Sequence, residues 1–139
     1  MNIAVILAAG IGKRMDMETP KQFVEVNGKL VIEYSLATFQ AHPDIDEIAV
    51  VTSEAYLPLM NDLRDSGLYS KWKKVLQGGA ERYQSSLAAI QAYGDNLDDI
   101  LLIHDAARPL VSTAVITKVL EIMQYANAAV VAVPASDTV

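Results

Sequence analysis

Residues 3–15 have the sequence IAVILAAGIGKRM, in which a short apolar run leads directly into a loop that contains two glycines. The run 3–7 has the length and composition of a buried β-strand. Gly10 and Gly12 lack a Cβ, so a polyanion can approach the main-chain N–H groups of the loop closely. We therefore expect a strand that is followed by a phosphate-binding loop, and we expect the rest of the fold to be built around it.

The cations that follow the glycines favour this interpretation over an ordinary turn with solvated charges. Lys13 and Arg14 come next in the chain, and Lys21 follows a proline farther along the same segment. The spacing excludes a P-loop, which needs four residues between its first glycine and a Gly-Lys-Ser/Thr sequence. It also excludes a dinucleotide-binding fingerprint, because Met15 stands where a third small residue is required.

Composition limits the classes of protein to which the chain can belong. Its 139 residues, 52% of them hydrophobic, are enough for one domain with one core. The chain contains no cysteine, which excludes disulfides, thiolate metal sites and cysteine nucleophiles. A net charge of −6 argues against a nucleic-acid surface. The longest apolar stretch, 126–135, is far shorter than the ~20 residues of a membrane span, so we expect a cytoplasmic protein that binds neither membrane nor nucleic acid.

Apolar runs alternate with segments of helical periodicity along the whole chain. Strands are predicted at 3–7, 47–52, 74–77, 100–104 and 128–133, and helices near 30–41, 55–66, 81–94 and 112–125. This alternation predicts an α/β fold, doubly wound, with a mostly parallel sheet and helices on both faces. The chain stops just after the last predicted strand, so we interpret residues 1–139 as part of a single domain that is incomplete at its C-terminus.

Ligands of such sheets bind beyond the carboxyl ends of the strands, and three unusual segments lie there. One is the loop after the first strand. A second begins with Gly78 and Gly79, whose main-chain groups could contact the edge of a flat base, with Ser85 adding a hydroxyl. The alternative for this segment is a glycine turn before a capped helix. The third is 104–109, after the fourth predicted strand.

The third segment contains a candidate metal ligand. Mg²⁺ often takes one or two carboxylates plus substrate phosphates, so Asp105 alone could hold a nucleotide-borne ion. The aspartate could instead cap the next turn. Arg108 could bind a second anionic substrate, or pair with an acid of its own fold. We expect His104 to be a packed structural residue, and His42 to be a solvated turn residue.

Five segments of the sequence, in this order, resemble the 2-C-methyl-D-erythritol 4-phosphate cytidylyltransferase family. They are LAAGxGxRM at 7–15, PKQF at 20–23, GGxxR at 78–82, HDAARP at 104–109 and DT at 137–138. The resemblance implies a Rossmann-like nucleotidyltransferase fold that is truncated on its C-terminal side, because the family's proteins continue farther. It also implies Mg²⁺ as the cofactor and a homodimer in the complete protein.

The resemblance further implies transfer of CMP from CTP to the phosphate of a small sugar alcohol, with release of pyrophosphate. Residue roles carried over from the family fall into four groups: catalytic cations at Arg14 and Lys21; nucleotide binding at Ala8, Ala9, Gly10, Gly12, Gly78, Gly79 and Ser85; acceptor binding at Arg108 and Thr138; and a metal ligand at Asp105. Ala80 departs from the family, which often has an acid there, so only main-chain contacts are expected at that position.

Three alternatives remain open at the level of sequence. Ribitol 5-phosphate cytidylyltransferases share the scaffold and most of these segments, although the unbroken sequence from Asp105 to Pro109 favours the methylerythritol phosphate enzyme. Sugar-1-phosphate nucleotidyltransferases also open with a glycine-rich loop, but the segment at 78–82 argues against them. From another class, the chain could be a catalytically incomplete module that binds CTP without turnover.

Overall fold

The computed structural model describes residues 1–10 and 19–133. In those ranges the strands are β1 Asn2–Ala8, β2 Glu25–Val26, β3 Lys29–Leu30, β4 Glu47–Thr52, β5 Trp72–Gln77 and β6 Ile100–Asp105. The α-helices are α1 Val31–Ala41, α2 Leu57–Asp65, α3 Arg82–Tyr93 and α4 Thr113–Ile122, and short 3₁₀ helices cover Lys21–Phe23 and Glu54–Tyr56. None of the helices in these ranges has the length and apolar character needed to cross a bilayer.

The main sheet has four parallel strands in the order β5-β4-β1-β6. From β1 the chain moves outward through β4 to β5, then returns to place β6 on the other side of β1. The strand order therefore reverses at β1, as in a doubly wound fold, and ligands of such folds bind at this reversal. The predicted parallel α/β architecture is confirmed.

Helices cover both faces of this sheet because side chains of β1 alternate between two apolar layers. Ile6 faces one layer, in which residues of α1, α2 and α4 pack together. Val5 faces the other layer, which α3 covers. The helix α4 begins where the sequence predicted, since the Ser112 side chain accepts a hydrogen bond from the backbone N–H of Val115 at 3.1 Å.

The prediction of a fifth strand at residues 128–133 is wrong. This segment does not join the sheet, and the exposed fractions of Val130 and Val133 are 90% and 84%. An apolar composition favours a strand only where neighbouring strands and packed side chains complete it. Within residues 1–10 and 19–133 the run has neither, so its composition alone was misleading.

A small antiparallel hairpin, β2–β3, was not predicted. Its turn is Asn27-Gly28, with φ of 52° and 82°. Two consecutive positive φ values are what a tight hairpin turn requires, and Asn-Gly is the pair that adopts them most readily. The hairpin is joined to α1 by the Tyr34 hydroxyl, which donates to the carbonyl of Val26 at 2.6 Å.

His42 is not a solvated turn residue, since only 1% of it is exposed. The backbone N–H of Asp44 donates to its Nδ1 at 3.1 Å, which leaves the proton on Nε2. That nitrogen donates to Thr117 Oγ1 at 2.8 Å. The histidine thus joins the end of α1 to α4, a contact between distant parts of the sequence that local composition does not show.

Candidate nucleotide-binding site

The carboxyl ends of the four parallel strands lie level with one another. In the register of the sheet, Ala8 is opposite Thr52, Thr52 is opposite Gln77, and Leu7 is opposite Asp105. A cleft opens beyond this edge, and its walls come from the loop after β1, the segment from Gly79 to Ser85 after β5, and Asp105 at the end of β6. The predicted convergence of three segments is therefore confirmed.

The loop after β1 contributes Ala9 and Gly10 to the cleft. Ala8 lies beneath them, buried, and its carbonyl accepts hydrogen bonds from Thr52 Oγ1 at 3.2 Å and from Gln22 Nε2 at 3.0 Å. Gly12 and Arg14, which the sequence placed in the same loop, lie outside the residues that the structure describes.

Lys21, the other predicted catalytic cation, is exposed at the start of the first 3₁₀ helix. The two residues that follow it are buried and hold the helix in place. Gln22 Nε2 donates to the carbonyl of Gly10 at 2.7 Å. The ring of Phe23 stacks on Tyr56 with 4.3 Å between centroids. The backbone of Lys21 is thereby held close to Gly10, with its side chain exposed.

Gly78 and Gly79 lie where only glycine fits. A Cβ placed on Gly78 would lie 2.9 Å from Val51 Cγ1 and 3.1 Å from Ala9 Cβ, and closer still to the hydroxyl of Ser85. A Cβ on Gly79 would lie 2.6 Å from Gln84 Cδ. The backbone N–H of Gly78 donates to the carbonyl of Thr52 at 2.8 Å.

Thr52 was not identified from the sequence, although it joins the two glycine segments. Its carbonyl accepts from Gly78 at 2.8 Å, while its hydroxyl donates to Ala8 at 3.2 Å. The residue is fully buried at the end of β4. Its position at the end of a strand between the two loops was the only signal in the sequence.

Asp105 caps the turn after β6, which is one of the two interpretations that the sequence left open, and the other, a metal ligand, stays a prediction. Its Oδ1 accepts from the backbone N–H of Ala107 at 3.0 Å, which caps the turn after β6. Its Oδ2 faces Arg82 Nη1 at 3.4 Å, and both residues line the cleft. The aspartate therefore brings a negative charge to the wall of the cleft, with an arginine of α3 beside it.

His104 is a structural residue, as expected. Its Nε2 lies 2.8 Å from the carbonyl of Arg108 and 3.1 Å from Ser35 Oγ, so Nε2 carries the proton that the carbonyl accepts. Burial lowers the pKa of the imidazole, and the bond to the Arg108 carbonyl opposes this shift only in part. The ring thereby fixes the turn that holds Asp105.

Arg108 itself is exposed at the end of this turn, outside the cleft. Among the ion pairs of the described residues none involves its guanidinium, so the alternative that it pairs with an acid of its own fold finds no support there. Thr138, the other residue predicted to bind the acceptor, lies outside the described residues.

We expect His104 to make stability depend on pH. Because its folded-state pKa lies below the ordinary 6.5, the unfolded chain takes up the proton first as the pH falls. The stability that the protein has above pH ~6.5 is therefore lost as the pH falls toward the folded-state pKa. The loss is at most about 1.4 kcal/mol per pH unit, and it is smaller here because the ring is partly exposed. Urea unfolding at pH 7.5 and 5 should show a smaller loss for His104→Gln than for the unmodified protein. Equal losses would contradict this assignment.

The donor set suits a metal that arrives with its substrate. In ranges 1–10 and 19–133 no group of three or more acidic or histidine side chains could form a complete metal site. Mg²⁺ that is bound mainly by substrate phosphates needs only one or two protein carboxylates. Asp105 and Glu81 both line the cleft, and Asp105 is the one at the end of a strand of the sheet.

The sequence matches the IspD family, 2-C-methyl-D-erythritol 4-phosphate cytidylyltransferase, over residues 2–139. The chain belongs to this family. It is 44% identical over 137 residues to a 2-C-methyl-D-erythritol 4-phosphate cytidylyltransferase of Thermobifida fusca, with 98% of this chain and 55% of that protein covered. It is 42% identical over 132 residues to a ribitol-5-phosphate cytidylyltransferase of Lacticaseibacillus paracasei, with 92% of this chain and 56% of that protein covered.

Solved structures agree with this membership. The 4-diphosphocytidyl-2C-methyl-D-erythritol synthase of Anaerococcus prevotii superposes with a TM-score of 0.74 at 26% identity, with 89% of this chain and 51% of that chain covered. The chain thus spans about half the length of the relatives it matches. The family and its fold are those that the five sequence segments indicated.

Proposed function

We propose that this chain is the nucleotide-binding part of a cytidylyltransferase that transfers CMP from CTP to 2-C-methyl-D-erythritol 4-phosphate. The observation that carries the proposal is the cleft in which Ala9 and Gly10 face the glycine segment at 78–79 across the end of the sheet. Family membership over residues 2–139 supports it.

The two sides of the cleft suit the two ends of a nucleotide. Ala9 and Gly10 present almost bare backbone next to Lys21, an arrangement that suits a triphosphate. Gly79 brings the main chain of the other wall to the surface, where its polar groups can meet the edge of a flat base. Ser85, only 3% exposed, adds a hydroxyl on the same wall. We assign the phosphates to the first side and cytosine to the second.

The reaction is a substitution at the α-phosphorus of CTP. An ionised phosphate oxygen of the acceptor forms a bond to that phosphorus, and the bond to the bridging oxygen breaks, so that pyrophosphate leaves with the electron pair. The attacking oxygen is already ionised and needs no general base. Such transfers depend mainly on positioning and on stabilising the charge of the transition state. We assign the stabilising charge to Lys21, and to Arg14 from the family resemblance.

Asp105 is the residue we assign to Mg²⁺. The ion, when bound with CTP, would neutralise charge on the phosphates. Oδ2 of Asp105 lies 3.4 Å from Arg82 Nη1, and water reaches both side chains, so this ion pair is weak. Because Arg82 and Asp105 partly neutralise each other before the nucleotide binds, the ion would compete with the guanidinium for this carboxylate.

Asp105→Asn should reduce the gain in CTP affinity that Mg²⁺ provides by about tenfold, the effect of losing one contact to a charged group. Asp65→Asn is the matched control, because Asp65 also pairs with an arginine, at 3.1 Å, but on the exposed end of α2. Calorimetric titrations with and without Mg²⁺ would measure both variants. An unchanged gain in Asp105→Asn would refute the metal assignment.

The acceptor has two candidates, since relatives named for methylerythritol phosphate and for ribitol 5-phosphate match at 44% and 42% identity. We propose methylerythritol phosphate as the first candidate for the acceptor, bound by Arg108 and Thr138, and ribitol 5-phosphate as the second candidate. We also propose that the complete protein is a homodimer, which light scattering would test.

Pyrophosphate release tests the proposal as a whole. The protein is mixed with CTP, Mg²⁺ and each acceptor in turn, and release is followed with time. Release with methylerythritol phosphate alone supports the first candidate, and release with ribitol 5-phosphate alone supports the second. CTP binding without release would identify a nucleotide-binding part that needs further chain for turnover. A protein that shows no CTP binding and no pyrophosphate release would refute the proposal.

A further inference from the structure

Gln22 is a glutamine whose side chain is buried against the phosphate-binding loop. Only 6% of the residue is exposed. Its Nε2 donates to the carbonyl of Ala8 at 3.0 Å and to the carbonyl of Gly10 at 2.7 Å. Two carbonyl oxygens can only accept, so the NH₂ end of the amide must face them. Both of its protons are therefore used to hold this loop.

These two bonds begin where the bonds of the sheet end. The ladders of β1 end at Ala8 and Leu7, opposite β4 and β6 respectively, and Gly10 lies beyond both. Gln22 supplies a partner to the carbonyl of Gly10, and a second partner, beside the Thr52 hydroxyl, to the carbonyl of Ala8. Since a peptide group is planar and trans, a carbonyl of Ala8 that faces Gln22 turns the N–H of Ala9 away from it. The side chain thus sets the direction of a main-chain donor in a residue that lines the cleft.

The same side chain sets the position of Lys21. Gln22 and Phe23 are both buried, and Phe23 stacks on Tyr56 at 4.3 Å, so the 3₁₀ helix is fixed from below while Lys21 stays exposed. Any movement of Gly10 relative to this helix would break the bond of 2.7 Å. One amide therefore couples the backbone that receives the triphosphate to the cation beside it.

We propose that Gln22 is a positioning residue, which presets the backbone of Ala9 and Gly10 in the geometry that binds the nucleotide triphosphate and keeps Lys21 beside them. The proposal rests on the proposed function for the identity of the ligand. Gln22 acts through Ala8, Gly10 and Lys21 and does not itself touch the nucleotide.

Gln22→Met removes both donors while it keeps the length of the side chain. We expect CTP affinity to fall by about tenfold, because the carbonyl of Gly10 loses this donor, the carbonyl of Ala8 keeps only Thr52 Oγ1, and the backbone of Ala9 and Gly10 becomes free to shift. Gln40→Met is the matched control. The amide of Gln40 also makes two hydrogen bonds, to Ser70 Oγ at 2.9 Å and from the backbone N–H of Lys71 at 2.8 Å, but on the side of the fold where β5 begins. The CTP affinity of Gln40→Met should differ from that of the unmodified protein by less than about twofold.

Melting temperatures of both variants separate positioning from general stability. Positioning predicts that the two variants lose similar stability and that only Gln22→Met loses affinity. Amide resonances of Ala9 and Gly10 should shift in Gln22→Met and stay unchanged in Gln40→Met. If Gln22→Met loses stability but binds CTP as tightly as the unmodified protein, the proposal is overturned.

A measurement on the unmodified protein decides the matter if Gln22→Met does not fold. The side-chain NH₂ of Gln22 should exchange its protons with water much more slowly than that of the exposed Gln91, before any nucleotide is added. Equal exchange rates would overturn the proposal. If the unmodified protein does not bind CTP, the proposed function fails, and Gln22 is judged from these exchange rates and from the Ala9 and Gly10 resonances alone.

Discussion

Lys21→Ala should lower the rate of pyrophosphate release by about 100-fold to 1,000-fold, the usual effect of removing one well-aimed charge from a transition state. CTP affinity should change little, because main-chain groups of Ala9 and Gly10 remain to hold the phosphates. Lys21 itself is exposed, while Gln22 and Phe23 anchor its helix, so the substitution should leave the fold of this segment intact.

Lys73→Ala is the control for the loss of one positive charge. Lys73 is exposed in the first half of β5, at the opposite end of that strand from Gly78. In steady-state kinetics of a preparation that turns over, the rate of Lys73→Ala should stay close to that of the unmodified protein. A Lys21→Ala enzyme with a near-normal rate, or with a loss confined to CTP affinity, would show that Lys21 has no role in the transition state.

Gly78→Ala should weaken CTP binding by about 100-fold, because overpacking a tight contact costs about 1–3 kcal/mol and two of the three groups that the methyl would displace, Ala9 and Ser85, line the cleft. The new methyl would lie 2.9 Å from Val51 and 3.1 Å from Ala9, and nearest to Ser85 Oγ. The backbone of Gly78 cannot move freely, since its N–H is bonded to the carbonyl of Thr52 at 2.8 Å.

Gly94→Ala separates this effect from ordinary loss of stability. Gly94 follows α3 at its far end, and a Cβ there would lie 3.0 Å from the carbonyl of Ile90. We expect a modest decrease in melting temperature and unchanged CTP affinity for this control. Titration calorimetry on both variants makes the comparison, and a Gly78→Ala protein that binds CTP normally would remove the glycine segment from the site.

Much of the site could be predicted because parallel strands impose a geometric rule. Once residues 3–7, 47–52, 74–77 and 100–104 are strands of one parallel sheet, the segments after them must meet at one edge. That rule brings Gly10, Gly79 and Asp105 together without any knowledge of side-chain packing, and the structure confirms it.

Other features depend on contacts that a sequence does not show. Gln22 is polar and looks like a surface residue until the fold places Ala8 and Gly10 beside it. The pairing of Arg82 with Asp105 likewise joins the start of α3 to the end of β6. His42 is the same kind of case, because its partner, Thr117, lies on a helix far along the chain.

The two errors in the elements have opposite causes. The Asn27-Gly28 turn was a local signal that the search for long apolar runs passed over, since its strands have only two residues each. Residues 128–133 were the reverse case, a run whose composition favours a strand but which has no neighbour to pair with in the described part of the chain.

A titration of the unmodified protein with CTP, and separately with ATP, in the presence of Mg²⁺ tests the nucleotide site most directly. Amide resonances report the affinity and the location of each ligand together. We expect CTP to bind at least about tenfold more tightly than ATP, since only the cytosine edge would match the donors and acceptors of the glycine segment. Its shifts should concentrate at Ala9, Gly10, Gly78, Gly79 and Ser85. Equal affinity for the two nucleotides, or shifts that avoid both glycine segments, would contradict a cytidine triphosphate site at this edge of the sheet.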